Sequence, residues 1–92
     1  MGLVKLFIKN RCPRCPHAKQ IGKELKAAGF KVQEYDVETP EGLAEASFYS
    51  VQATPTFIIE DLQENMLADF RGVVPSVQQI QNLLCPTAGR SN

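Results

Sequence analysis

Along the 92-residue chain, short solid apolar runs alternate with stripes of helical period. Leu3-Val4-Lys5-Leu6-Phe7-Ile8 is almost wholly apolar and too short for a helix, which predicts a strand covered on both faces in the middle of a sheet. It breaks at Lys9-Asn10-Arg11. From Ala18 the apolar positions recur at Ala18, Ile21, Gly22, Leu25 and Ala28, with Lys19, Lys23 and Lys26 on the other side. That is the pattern of a half-buried helix, and Gly29 supplies its C-cap. Residues 31–37 read as a second, less regular strand. The helix between them has the length that a parallel crossover requires, so the three elements form a βαβ unit.

Thr39 as N-cap and Pro40 at the first helical position open a shorter helix through Leu43, Ala44 and Phe48. Thr56 to Glu60 is β-branched and aromatic, and Met66 to Phe70 returns beside it after the polar 61–65 turn, which makes a hairpin. Ser76 and Gln79 form a capping box ahead of Val77, Ile80, Leu83 and Leu84, one face of a last helix. The order is therefore β-α-β-α-β-β-α, an α/β domain with a four-stranded mixed sheet flanked by helices. Residues 1–84 form this single domain, and residues 85–92, polar and turn-forming, read as a loose tail.

Composition narrows the class. Hydrophobic residues at 43% and charged residues at 22% are ordinary globular usage and exclude a disordered or disulfide-packed chain. No apolar run approaches the roughly 20 residues of a membrane span, and no basic start precedes a long apolar stretch, so the expected setting is cytoplasmic. Net charge is zero but unevenly spread. Residues 1–31 hold eight Lys and Arg against Glu24 alone, and residues 32–92 hold two against nine acids. With no Trp, few aromatics and no run of adjacent cations, a nucleic-acid surface is not expected; solvated faces account for most of these charges.

The chemistry lies in Cys12-Pro13-Arg14-Cys15, between a buried strand and a helix start. Two intervening residues let the sulfurs close a small disulfide ring. A helix N-terminus offers free N–H groups and a positive dipole end, and Lys9, Arg11, Arg14 and His17 add charge; all favour a thiolate at Cys12. Cys12 is then the attacking sulfur, and Cys15, one turn inward, resolves the mixed disulfide. Competing readings are a zinc site on Cys12, Cys15, Cys85 and His17, an iron–sulfur or metal carrier using Cys12, two inert buried thiols, and a redox-inactive adaptor. No resident metal is expected. Covalent haem would need a histidine where Pro16 stands. Cys85 falls in the tail and reads as incidental; exposed, it would form adventitious dimers. If Cys12 caps the helix, Pro16 deletes the first intrahelical bond and distorts the first turn.

Cys12-Pro13-Arg14-Cys15 resembles the Cys-Pro-x-Cys of glutaredoxins in the thioredoxin superfamily, and Ala53-Thr54-Pro55-Thr56-Phe57 resembles that superfamily's Thr-Pro element. Asp69-Phe70-Arg71-Gly72 is similar to its strand-to-glycine element. The resemblance implies a thioredoxin-like fold of the minimal glutaredoxin type and dithiol–disulfide exchange at Cys12 and Cys15. It implies a cis peptide at Pro55 facing the cysteines, and substrate contacts at Lys9, Arg14, Thr54 and Pro55, with Lys9 pairing a glutathione carboxylate. Leu6 stands where thioredoxins carry a buried Asp, and Gly72-Val73-Val74-Pro75-Ser76 looks like the Gly-x-x-Pro-Asp of glutaredoxin-like redoxins. Those accept electrons from thioredoxin reductase and serve ribonucleotide reductase. The expected partners are thus protein disulfides, with glutathione, or thioredoxin reductase and NADPH, as electron source, acting on a monomer without a bound cofactor. Arg14 is expected to make the couple more oxidising than thioredoxin's roughly −270 mV.

Overall fold

The computed structural model describes residues 2–85. Seven elements follow in the expected order: β1 (Leu3–Ile8), α1 (Cys15–Ala27), β2 (Lys31–Asp36), α2 (Pro40–Phe48), β3 (Thr56–Glu60), β4 (Met66–Arg71) and α3 (Val77–Leu84). Of the expected loose tail, residues 86–92 lie outside the described residues. Cys85 does not behave as tail: its N–H reaches the Gln81 carbonyl at 2.8 Å, and its half-buried side chain packs on the core.

The sheet order is β2-β1-β3-β4, with β1 parallel to β2 and antiparallel to β3, and β3 antiparallel to β4. Strand alternation sends Val4, Leu6, Ile8, Phe57 and Ile59 to one face, where α1 and α3 cover them, and Phe7 and Ile58 to the other, under α2. Phe7 pairs with Thr56, so the C-terminal end of β1 lies beside the N-terminal end of β3. The loops that leave and enter there carry Cys12 and Pro55 to one end of the two central strands.

One local expectation is corrected, and the face that α2 buries is a finding of the structure. Arg14, not Cys12, is the N-cap of α1, and its carbonyl accepts the first intrahelical bond from Ala18 at 3.1 Å. Pro16 therefore sits in the first turn, where its missing N–H has no partner to lose, and the first turn keeps its bonds. In α2, Thr39 caps as expected, its hydroxyl accepting from the Gly42 N–H at 3.0 Å. Its buried face is Gly42 and Ala46; Leu43 and Phe48 are 57% and 78% exposed and Ala44 is exposed too. The cause is proximity: a Cβ at Gly42 would lie 2.5 Å from the Asp36 carbonyl carbon, so α2 approaches the end of β2 closely enough that only its smallest residues fit. At the end of α1, Gly29 at φ +96 lets Phe30 and Gly29 return their N–H groups to Leu25 and Lys26, both at 3.0 Å, a Schellman cap.

Lys5, the one charge in β1, points to the α2 face and donates to the Tyr49 hydroxyl at 2.8 Å and to Glu45 Oε1 at 3.2 Å, with Glu60 Oε1 at 3.8 Å. The Tyr49 hydroxyl donates in turn to Glu60, which is 4% exposed. Burial pulls the Lys5 pKa down, but the bonds to Tyr49 and Glu45 and the field of Glu60 outweigh it, and the net shift is upward. One ion-pair network thus ties β1, α2 and β3 together.

Candidate functional site

Cys12 and Cys15 are bonded as a disulfide with their Cα atoms 5.3 Å apart. The local sequence produces this spacing. Cys12-Pro13-Arg14-Cys15 is a turn closed by the Cys15 N–H on the Cys12 carbonyl at 3.2 Å, with Pro13 at the second position and Arg14 at φ −97, ψ −5 at the third. That is type I geometry, which favours proline where Pro13 stands. Cys12 is 7% exposed and Cys15 3%, so the attacking sulfur is less open to water than the sequence suggested. The two differ in what they face. Cys12 lines an open groove of about 490 Å3, whereas Cys15 is not among its lining residues.

Lys9, Arg11 and Thr54 share that groove, with Val37, Leu43 and Val51 as apolar walls and no carboxylate among the described lining residues. Arg11 reaches it from a left-handed backbone position, φ +59. The Thr54–Pro55 peptide is cis, as the resemblance implied, and Pro55 is fully buried. Several bonds hold this loop. The Thr56 hydroxyl donates to the Ala53 carbonyl at 2.7 Å, and the Gly72 N–H to the Pro55 carbonyl at 2.8 Å. Arg71 donates to the Tyr49 and Ser50 carbonyls at 3.0 and 3.1 Å, fastening β4 to the loop that follows α2. Arg14 does not line the groove; its guanidinium donates to the Gly72 carbonyl at 2.9 Å. It bridges the cysteine turn to the loop after β4, where Gly72 adopts φ +75. His17 also faces elsewhere, into the cleft between α1 and the start of α3 with Ser76 and Val77.

A family model described as thioredoxin domain matches residues 3–85. The chain belongs to the thioredoxin-domain family. It is 37% identical over 62 residues to a probable thioredoxin from Archaeoglobus fulgidus, which covers 66% of this chain and 68% of that protein. Among solved structures, a thioredoxin from Thermus thermophilus superposes with a TM-score of 0.68 at 25% identity, covering 98% of this chain and 78% of the other. A thioredoxin-like protein from Clostridium perfringens gives 0.76 at 16% identity, covering 91% and 68%. The fold is thioredoxin-like, as expected from the motifs.

Family membership and a cysteine pair at bonding distance make this thioredoxin-domain protein a dithiol–disulfide oxidoreductase. Of the residues singled out in the sequence, Cys12, Lys9 and Thr54 meet at the groove, Cys15 and Pro55 lie buried behind it, and Arg14 stands aside as a tie. Sequence reasoning missed the walls at Val37, Leu43 and Val51 and the fastening by Arg71. It also passed over Lys5, for which there was a signal: a lone cation inside an apolar strand needs an anionic partner.

Proposed function

We propose that this thioredoxin-domain protein reduces protein disulfides by a two-step exchange in which Cys12 attacks and Cys15 resolves. The reduced form presents a Cys12 thiolate, which bonds to one sulfur of the substrate and releases the other as a thiolate. Cys15 then gives up its proton and attacks Cys12, the second substrate sulfur leaves as a thiol or thiolate, and the pair's two electrons pass to the substrate sulfurs, leaving Cys12 and Cys15 as the disulfide. The observation that carries this assignment is the difference in surroundings: Cys12 lines the groove and Cys15 is sealed behind it. Lys9 and Arg11 in the same groove favour the thiolate and attract a carboxylate beside the substrate disulfide. The backbone of Thr54, next to the cis peptide, pairs with the bound segment, a role supported by the family resemblance.

Turnover then needs a reductant. Thioredoxin reductase with NADPH is our reading, supported by the relationship to a probable thioredoxin and by the Gly72-x-x-Pro75 likeness, with ribonucleotide reductase among the acceptors and a cytoplasmic monomer as the working form. A glutaredoxin-type reading, with glutathione as donor, is favoured by one observation, the paired cations of a groove that holds no carboxylate. Coupled assays separate the two: NADPH consumption with thioredoxin reductase, against consumption with glutathione and its reductase, using insulin as the disulfide. Cys12→Ser should be inactive and Cys15→Ser should accumulate a mixed disulfide visible by mass. Activity surviving in Cys12→Ser overturns the assignment.

A further inference from the structure

Six cations lie at or beyond the cysteine turn. Lys9 and Arg11 line the groove with Cys12, and among the described residues Arg14 bonds a neutral carbonyl alone. Lys19, Lys23 and Lys26 follow along α1, all exposed. At 100° per residue the three lysines fall within about 60° of one another, a single stripe. Lys26 is eleven residues past Cys15, so the stripe runs about 16 Å from the site. Among the described residues the ion pairs found engage Lys5 and Arg71, and none engages these six. Residues 1–31 contain one acid, Glu24, and its carboxylate accepts from Gln20 rather than from a lysine.

We infer that this stripe is a docking surface for a protein whose reactive disulfide is flanked by an acidic segment, so that charge steers the partner onto Cys12. The inference rests on the exchange reaction proposed above and names its substrate class. Cations on the helix that follows the cysteine turn, with Lys9 and Arg11 beside Cys12, raise the encounter rate of an anionic partner and lower that of a cationic one. A protein is favoured over a nucleic acid because the reacting sulfur lies in a groove walled on one side by Val37, Leu43 and Val51. An extended peptide flank of five or six residues spans the roughly 16 Å from Cys15 to Lys26.

The probes are three synthetic disulfide-linked peptide homodimers, identical except that the residues flanking cysteine are Glu, Gln or Lys, together with hydroxyethyl disulfide as a small neutral substrate. Pre-reduced protein is mixed with each, quenched by alkylation, and its oxidation followed by mass. At about 0.01 M salt, where the screening length is near 30 Å, the Glu peptide should react at least tenfold faster than the Lys peptide. The advantage should shrink to less than about twofold near 1 M salt, where screening acts over roughly 3 Å. It should also be lost in Lys19→Glu/Lys23→Glu/Lys26→Glu and fall by about half on a logarithmic scale in the corresponding triple Gln variant. Hydroxyethyl disulfide should react equally with all three proteins, which also shows that the variants are folded. Equal rates for the Glu and Lys peptides, or a preference undiminished in the triple variants, overturns the docking surface while leaving the exchange reaction intact. Failure of wild type on hydroxyethyl disulfide overturns the exchange reaction itself, and the docking surface falls with it. Binding of a single-stranded oligonucleotide without any peptide preference, or a low-salt self-association that the triple variants lack, reassigns the stripe and refutes the inference.

Discussion

Gly22 and Gly42 both sit inside helices, and the same substitution should move stability in opposite directions at the two sites. Alanine is favoured over glycine in a helix interior by about 1 kcal/mol, so propensity alone stabilises both variants. At Gly22 a Cβ would lie 3.5 Å from Leu6 Cδ2 and 3.7 Å from Val32 Cγ1, ordinary contact, and the full propensity gain should appear. Gly22→Ala should raise Tm by roughly 4–8 °C. At Gly42 the Cβ would lie 2.5 Å from the Asp36 carbonyl carbon and closer still to its oxygen, which α2 can relieve only by retreating from β2. That oxygen accepts the Thr39 N–H and hydroxyl at 3.0 and 2.8 Å, so retreat also loosens the helix cap. Overpacking of about 2 kcal/mol and a cap worth about 1, set against a propensity gain of about 1, leave Gly42→Ala less stable by about 2 kcal/mol. Tm should fall by roughly 8–16 °C, read by far-UV circular dichroism and checked by urea unfolding at unchanged m. A Gly42→Ala variant as stable as wild type would refute the close approach of α2 to β2, and with it the reason why Leu43 faces the groove.

Lys5→Met should cost about 3 kcal/mol, because Glu60 stays buried with only the Tyr49 hydroxyl beside it, and Lys5→Met/Glu60→Gln should recover a good part of this in urea unfolding. Since folding raises the Lys5 pKa, the stability tied to its charge is complete below its unfolded value of about 10.4 and is lost as pH rises through the higher folded value. Lys5→Met should therefore flatten the alkaline limb of the stability profile; a limb unchanged by the substitution contradicts the network. Pro16→Ala should change stability by less than about 1 kcal/mol, since no helix bond is missing there; a gain of 2 or more would put the helix start back at Cys12. Arg14→Ala should shift the reduction potential by about 10 mV toward more reducing values, as the Cys12 thiolate loses one solvent-screened cation, and an unchanged potential in a redox titration would count against that influence.

The elements were legible because each has a local cause. Thr39, Ser76 with Gln79, and Gly29 announce helix ends by chemistry that acts within four residues, and the solid apolar runs of β1 and β3 announce burial. The turn Cys12-Pro13-Arg14-Cys15 and the Thr54-Pro55 pair were legible for the same reason. What escaped depends on distance across the fold. The orientation of α2 follows from how near its backbone comes to Asp36, which the apolar positions along residues 40–48 do not announce. Arg14 and Gly72 are 58 residues apart, and only the loop that follows β4 brings that carbonyl within reach of the cysteine turn.

The later start of α1 changes how the site works. With Cys12 as N-cap, its sulfur would sit on the first free N–H groups and the helix would supply most of the stabilisation of a thiolate. With Arg14 as cap, Cys12 stands two residues ahead of it, in a turn whose one closing bond uses the Cys12 carbonyl. Helix-end effects fall off within about a turn, so more of the thiolate's support must come from side-chain charge. Lys9 and Arg11 in the groove are the cations that share its lining with Cys12. Their charges are exposed to solvent and screened by salt, unlike backbone N–H groups. The reactivity of Cys12 should accordingly decline as salt rises even toward a neutral alkylating agent, because its thiolate fraction falls. Iodoacetamide rates for the reduced protein that stay flat between about 0.01 and 1 M salt would return the main role to the helix.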